Sequence, residues 1–293
     1  MEMALKDDRL TVCFKKEGGS LTSIKDKDGV EYLWQGDPTY WGNQAPVLFP
    51  ICGSLRGDQA QIGKGKTARM PRHGLVKKKD FVCKEHSGDR IVFCIESDRE
   101  MEEDYPYPFR LEIAYTLCKD QIQVRYRVVN LGEEEMPFLI GGHPGFNCPL
   151  LAGEDYEDYQ LVFEQEETCT VPTPVTETGL IDMEHRTPFL KGQRTLDLSH
   201  DLFSKDAVIL DQLRSRSVTL QSKKHGKGVR LDYPQFPYLI LWSSANGGPF
   251  IALEPWIGLS TCSDEGDVFE EKRNIQKAAP GEAKEYAFTI SIL

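Results

Sequence analysis

Residues 117–129 read LCKDQIQVRYRVV, and this stretch decides the fold. A Lys-Asp pair near its start is typical of a turn, and apolar and polar side chains alternate after it. Val124 and Tyr126 point to one face of a strand, whereas Arg125 and Arg127 point to the other face. The alternation predicts a β-strand that buries one face against a core.

Segments of the same kind recur along the chain, with turn residues about every ten positions. They are residues 81–95, which read as two strands around a Ser-Gly-Asp turn, and residues 217–221, 229–233, 238–242, 250–254 and 284–293. Short helical turns are predicted only at residues 201–206 and 267–274. Because strands do not alternate with long helices, a parallel α/β sheet is disfavoured. We predict an all-β fold, a large antiparallel β-sandwich, in one domain over residues 1–293.

The composition restricts the location of the protein and its partners. Asp and Glu number 46 against 35 Lys and Arg, a net charge of -11, and an acidic surface repels the phosphates of nucleic acids. No apolar run is long enough to cross a membrane, and the N-terminus has no signal-peptide pattern. We therefore expect a cytoplasmic protein with eight reduced cysteines and no nucleic-acid or membrane partner. The sequence does not indicate an oligomeric state.

Several chemical classes lack their motifs. Residues 63–67, GKGKT, resemble the end of a phosphate-binding loop, but the upstream glycine of that motif is Ala60 and Pro71 follows too soon for a helix. A hairpin tip is the better interpretation. The spacings of a zinc site, a dinucleotide fold or a serine-hydrolase elbow do not occur. We expect no metal and no cofactor.

Three segments end an apolar strand abruptly in Gly or Pro, beside one ionisable or aromatic side chain. Strand ends and the loops after them are where rigid folds place functional groups. The segments are residues 46–58, PVLFPICGSLRGD, followed by 70–74, MPRHG; residues 136–149, MPFLIGGHPGFNCP; and residues 250–262, FIALEPWIGLSTC.

His143 and Glu254 are the candidate reactive groups of these segments. His143 follows two glycines and precedes a proline, which favours an extended backbone, and Phe146 could stack on a sugar face. Glu254 ends a buried strand beside Trp256, so desolvation is expected to raise its pKa and suit it to proton transfer near neutral pH. Taken alone, His143 could equally cap a turn, and Glu254 could be a salt-bridged residue at a strand end.

The order of these segments resembles the aldose 1-epimerase (galactose mutarotase) family. The similarity covers LFPICG to PRHG, then GGHPGF, then LEPW, then KAAPGEAKEY near the end, and it spans residues 40–290. The resemblance implies a galactose mutarotase-like β-sandwich, known as the supersandwich. It also implies an aldose 1-epimerase that interconverts the α and β anomers of a free hexose. GGHPGF departs from the Asn-His pair of the best-studied members and is closer to a divergent branch associated with bacterial sugar operons.

The resemblance also implies roles for individual residues. His143 matches the histidine that protonates the ring oxygen, and Glu254 matches the base that takes the proton of the anomeric hydroxyl. The sugar-binding residues it implies are His73, Arg56, Asp206 and Trp242. A small-molecule sugar is the expected partner.

Three alternatives remain open from the sequence. The substrate could be a hexose 6-phosphate, because Arg56, Arg72 and Lys77 lie near His73 in the chain and could hold a phosphate. The protein could be a sugar-binding protein without catalytic activity, although it has both Glu254 and the histidine. A glycoside hydrolase is disfavoured, since that reaction usually needs two carboxylates.

Overall fold

The computed structural model describes residues 3–63 and 65–293, and it is built almost entirely of strands. In chain order these are β1 (Met3–Lys6), β2 (Leu10–Lys15), β3 (Ser20–Asp26), β4 (Val47–Leu48), β5 (Gln59–Ile62), β6 (Lys66–Arg69), β7 (Val82–His86), β8 (Arg90–Glu96), β9 (Phe109–Cys118), β10 (Gln121–Asn130), β11 (Met136–Phe138), β12 (Gly141–Gly142), β13 (Gly145–Asn147), β14 (Tyr159–Val175), β15 (Leu180–Asp197), β16 (Val208–Leu210), β17 (Ser217–Ser222), β18 (Gly228–Asp232), β19 (Tyr238–Trp242), β20 (Phe250–Trp256), β21 (Gln276–Ala278) and β22 (Ala283–Ile292). One α-helix, α1 (Arg99–Asp104), and four short 3-10 turns complete the described elements, the turns being Arg56–Asp58, Tyr156–Asp158, His200–Phe203 and Phe269–Glu271.

Two large antiparallel sheets organise these strands. The nine-stranded sheet has the order β15-β14-β17-β18-β22-β10-β9-β8-β7, and the six-stranded sheet has the order β16-β19-β20-β12-β4 with β13 beside β20. Smaller sheets are formed by β1-β2-β3, β5-β6 and β11-β21. The prediction of an all-β, antiparallel β-sandwich is confirmed.

The two large sheets pack against each other through apolar side chains. The backbone of Gly142 in the six-stranded sheet lies so close to Tyr126 and Phe288 of the nine-stranded sheet that an added Cβ would be 3.0–3.1 Å from them. Val124 and Tyr126 are buried in this core, while Arg125 pairs with Glu285 on the outer face. The alternation in residues 117–129 therefore has the predicted orientation.

Most predicted strands occur within one or two residues of their predicted bounds, but several elements were missed, among them β1 to β3, most of β9, the hairpin β14–β15 and helix α1. The hairpin β14–β15 is longer than any predicted strand, and its register shifts at several points along its prolines and charged residues. These interruptions hide the alternation that identifies a strand. Helix α1 is too short for a periodic signal, although Asp98 caps it by accepting a hydrogen bond from the amide of Met101 (2.8 Å).

The structure also bears on the sequence-based expectations about membranes and cysteines. None of the described helices is long and apolar enough to cross a membrane. Cys52, Cys148 and Cys262 are buried free thiols within the core. The GKGKT segment lies at the turn between β5 and β6, as predicted for a hairpin tip, and its Lys64 is outside the described residues.

Candidate active site

Strand β20 places the candidate carboxylate at the centre of the six-stranded sheet. Its Ala252 pairs with Trp242 of β19, and its Glu254 pairs with Ile240 of the same strand. Side chains two residues apart on a strand share a face, so Glu254 and Trp256 project on the same side of the sheet. This face forms the floor of a cleft of about 290 Å³.

The candidate histidine enters the same cleft from the neighbouring strands. His143 lies between β12 and β13, whose Gly141 and Gly145 pair with Trp256 and Ala252 of β20. Its backbone amide donates a hydrogen bond to the carbonyl of Pro46 (3.1 Å). Paired strands therefore hold both reactive groups, Glu254 within β20 and His143 in the link between β12 and β13, and fix their relative position.

His143 and Glu254 are in direct contact. Nε2 of His143 lies 3.3 Å from Oε2 of Glu254, and the two side chains are only 8% and 2% exposed. The indole Nε1 of Trp256 donates a hydrogen bond to the same carboxylate oxygen (3.1 Å). The pair is thus a buried acid–base couple that faces the cleft on one side.

Burial sets the protonation of both groups. Desolvation raises the pKa of Glu254 well above its usual value, partly opposed by the nearby Arg72 and by the Trp256 hydrogen bond. Desolvation also lowers the pKa of His143 to about 3. Because each group avoids its charged form in a dry environment, burial favours a protonated Glu254 and an unprotonated, neutral His143 in the empty cleft. The pKa of Glu254 is raised as expected, but β20 continues to Trp256, so Glu254 lies within a buried strand rather than at its end.

Aromatic rings, rather than hydrogen bonds, hold the imidazole of His143. The ring of Trp41 stacks on it with centroids 4.6 Å apart, and Trp242 meets it edge-on at 5.7 Å. Nδ1 of His143 is buried and has no hydrogen-bond partner among the described residues. A Cβ on Gly145 would lie 2.8 Å from the Trp41 ring, so the glycine in His-Pro-Gly permits this stacking.

His73 approaches the pair from a strained turn. Its φ is +70°, and the following Gly74 packs so closely that an added Cβ would lie 2.1 Å from the carbonyl oxygen of Phe49. Nδ1 of His73 accepts a hydrogen bond from the amide of Gly53 (3.2 Å), which leaves Nε2 as the protonated nitrogen. Burial lowers the pKa of His73 well below its usual value, so the ring is a neutral hydrogen-bond donor.

Asp206 and two cations form the remaining polar wall. Asp206 has a φ of +86°, a backbone conformation that costs a non-glycine residue on the order of 1 kcal/mol or more. Its Oδ2 lies 3.9 Å from a guanidinium nitrogen of Arg72. Lys77 lines the same cleft and donates a hydrogen bond from Nζ to the carbonyl of Arg72 (2.6 Å).

Two residues singled out in the sequence lie elsewhere. Arg56 is not among the cleft-lining residues of the described chain; its guanidinium pairs with Asp267 and donates to the carbonyl of Glu265 (3.2 Å). The prediction of Arg56 as a residue of the site was therefore wrong, and Arg72 supplies the arginine of the cleft instead. Phe146 is fully buried in the core, because it alternates with Gly145 on β13 and faces the opposite side.

The cleft gathers five of the six site residues predicted from the sequence. It is lined by His143, Glu254, His73, Asp206, Trp242, Trp41, Asn43, Arg72, Lys77, Ala207, Ile240 and Trp256. Trp41 and Asn43 were missed, since they lie in a loop that precedes the first recognisable motif. Among the residues described, no group of three or more His, Cys, Asp or Glu side chains is arranged to hold a metal ion.

A β-sandwich with a buried Glu–His couple on the floor of an aromatic, polar cleft is a scaffold suited to proton transfer on a small polar ligand. The sequence profile described as aldose 1-epimerase matches residues 1–272. The chain belongs to the aldose 1-epimerase family.

Relatives and solved structures match the chain over its whole length. The chain is similar to the chromosomal and plasmid forms of protein LacX from Lactococcus lactis subsp. lactis, each 51% identical over 298 residues and covering 100% of both chains. It is also similar to a crystal structure of a galactose mutarotase related enzyme from Lactobacillus acidophilus, with a TM-score of 0.93 and 29% identity over 100% of this chain and 97% of that one. A galactose mutarotase-like protein from Lactobacillus casei has a TM-score of 0.88 and 29% identity, and both chains are covered completely.

Proposed function

We propose that this protein is an aldose 1-epimerase that interconverts the α and β anomers of a reducing sugar. The observation that carries the proposal is the buried contact of 3.3 Å between His143 and Glu254 on the cleft floor. Ring opening of a cyclic aldose needs one group to remove a proton and one to deliver a proton, and this couple supplies both.

The reaction requires only proton movement and one reversible bond cleavage. Glu254 takes the proton of the C1 hydroxyl while His143 delivers a proton to the ring oxygen. The bond between C1 and the ring oxygen breaks, C1 becomes an aldehyde carbon, and rotation about the bond from C1 to C2 exposes its other face. Reclosure returns both protons and gives the opposite anomer. Each of the two proton transfers contributes about 10²–10⁴ in rate.

The couple enters this cycle as a unit that shares one proton. In the empty cleft the proton resides on Glu254, because desolvation raises the pKa of that carboxyl and lowers the pKa of His143. Transfer of this proton to Nε2 of His143 gives the carboxylate base and the imidazolium acid that the reaction uses. Trp256 and Arg72 favour the carboxylate, as do the hydroxyl groups of a bound sugar.

The other cleft residues are suited to bind the ring. The protonated Nε2 of His73 offers a donor and Asp206 offers an acceptor, so together they can engage adjacent hydroxyl groups. Trp242 and Trp41 provide apolar surfaces against which the C–H face of a sugar packs. A binding protein without catalytic activity has no need for a desolvated carboxylate against an imidazole, since leaving such groups buried costs stability.

Saturation-transfer NMR on equilibrated sugars tests the proposal. Protein added to glucose, galactose and their 6-phosphates should accelerate exchange between the α and β anomeric signals of at least one of them above the buffer rate. Folded protein that binds one of these sugars and leaves every exchange rate at the buffer value would instead indicate a sugar-binding protein.

A further inference from the structure

We propose that the natural substrate is an aldose that carries an anionic group away from C1, with phosphate as the leading candidate, and that Lys77 and Arg72 bind this group. This inference rests on the proposed epimerase function and names the class of substrate for the same cleft. It takes up the hexose 6-phosphate alternative that the sequence left open, with Arg72 and Lys77 but not Arg56 at the cleft.

The first observation is that Lys77 lacks a counterion. Its side chain is half-buried at the cleft, and within the described part of the chain its Nζ donates only to the carbonyl of Arg72 and forms no ion pair with a carboxylate. Burial and the neighbouring cations Lys78 and Arg72 lower the pKa of Lys77. A cation held partly out of water without a partner is unfavourable, and a bound anion would remove that cost.

The second observation is the charge balance of the cleft. Arg72 and Asp206 offset each other, since their charged groups are 3.9 Å apart. Burial disfavours the charged forms of Glu254 and of the two histidines. Among the described residues Lys77 is therefore the cation of the cleft that no carboxylate pairs with, although the chain as a whole has a net charge of -11. Such a local reversal of sign attracts an anionic ligand into the site.

The third observation is that both cations lie near the reacting groups. Arg72 and Lys77 each lower the pKa of His143 and of His73 through their charges, so they are within electrostatic reach of the couple. The planar guanidinium of Arg72 can bind two phosphate oxygens at once, and the ammonium of Lys77 can add a third contact. An anion held there would anchor the sugar while C1 lies at Glu254.

The neighbouring lysines show that Lys77 is not simply part of a charged surface. Residues 77–79 are all lysine, but Lys79 pairs with Glu100 (2.6 Å) and Asp98 (3.8 Å) on the outer surface. Lys78 is exposed and does not line the cleft. Only Lys77 of the three combines burial, cleft position and the lack of a carboxylate partner, and Lys78 provides a matched control for it.

The test compares neutral and anionic sugars with the wild-type protein and two variants. Anomer exchange is measured for glucose, galactose, glucose 6-phosphate, galactose 6-phosphate and galacturonate, and the buffer rate of each sugar is subtracted. We expect kcat/KM for a 6-phosphate to exceed that for its parent hexose at least about tenfold, on the scale of one charge-assisted contact. Lys77→Met should lower this ratio about tenfold, whereas Lys78→Met should leave it unchanged.

The possible outcomes separate the two proposals. Equal kcat/KM for neutral and anionic sugars, or a Lys77→Met variant that lowers both equally, would overturn the inference and leave the epimerase function standing. A preference for galacturonate over the 6-phosphates would support an anionic aldose and identify the anion as a carboxylate. Exchange at the buffer rate for every sugar would overturn the proposed function itself. A thermal melt of each variant verifies that it is folded.

Discussion

His143 and Glu254 meet at 3.3 Å on neighbouring strands of one sheet, and each is almost completely removed from solvent. Burial drives their pKa values in opposite directions, upward for the carboxyl and downward for the imidazole. Because both groups would take part in the reaction, an apparent pKa from a pH–rate profile is read as a property of the pair rather than of either residue. This contact links the stability of the protein to its proposed chemistry.

The first prediction concerns stability in acid. The folded-state pKa of His143 is about 3, below the value of 6.5 for an exposed imidazole, so the folded state resists protonation more than the unfolded state. The contribution of His143 is complete above pH 6.5 and is lost as the pH falls toward 3, with a slope of up to about 1.4 kcal/mol per pH unit. His143→Asn has no such titration. Its Tm should fall less than that of the wild type between pH 7 and pH 4.

The comparison has an internal control, because both proteins share every other carboxylate and histidine. Parallel loss of Tm in the two proteins across this range would show that His143 does not titrate abnormally. The same variant should also exchange anomers at least about 100-fold more slowly, since asparagine cannot deliver a proton.

The second prediction concerns Trp41, whose ring stacks on His143 with centroids 4.6 Å apart. Trp41→Ala removes the surface that orients the imidazole and should lower kcat about tenfold or more, as expected when a reacting group is misaligned. Trp41→Phe retains an aromatic face and should recover most of the rate. If the alanine and phenylalanine variants show the same kcat, the stacking does not position His143.

The third prediction concerns the turn that carries His73. Gly74→Ala places a methyl group 2.1 Å from the backbone oxygen of Phe49, at a φ of +80°, and should destabilise the protein by more than about 2 kcal/mol. Gly29→Ala is the matched control, because Gly29 has a φ of +84° but no atom within 4 Å of an added Cβ. It should cost only about 1 kcal/mol. Chemical denaturation measures the free energy of unfolding of both variants. Equal losses would indicate that the positive φ, and not the contact with Phe49, determines the cost.

The sequence predicted the sheets well because their signal is local. Residues such as Val124 and Arg125 alternate between the core and solvent, and a period of two survives without knowledge of the partner strands. The hairpin β14–β15 was missed because its prolines and bulges interrupt that period. Helix α1 was missed because six residues are too few to show a helical period.

The candidate site was predictable where a reactive residue stands beside glycine, proline or tryptophan in an apolar segment, as Glu254 and His143 do. The contact between them depends on strand pairing that the sequence does not state. Trp41 lies in a loop with no motif. The glycine at position 145 is an indirect sign of it, since any side chain there would displace the indole. The sequence favoured Arg56 as the sugar-binding arginine, and this prediction was wrong because the structure places Arg72 at the cleft instead.

The central claim is that Glu254 moves the proton of the anomeric hydroxyl, and Glu254→Gln tests it most directly. Glutamine keeps the shape and an acceptor oxygen but cannot take a proton. Anomer exchange is measured by saturation-transfer NMR on the sugar with the highest wild-type rate, and affinity for that sugar is measured by calorimetry. Glu254→Asp serves as a control that retains a carboxylate, and its exchange rate should lie between those of the wild type and of Glu254→Gln.

We predict that Glu254→Gln lowers the exchange rate at least about 100-fold, as expected for loss of a general base, while the sugar Kd changes far less. A folded Glu254→Gln variant that binds the sugar and exchanges its anomers at a rate near that of the wild type would contradict the account.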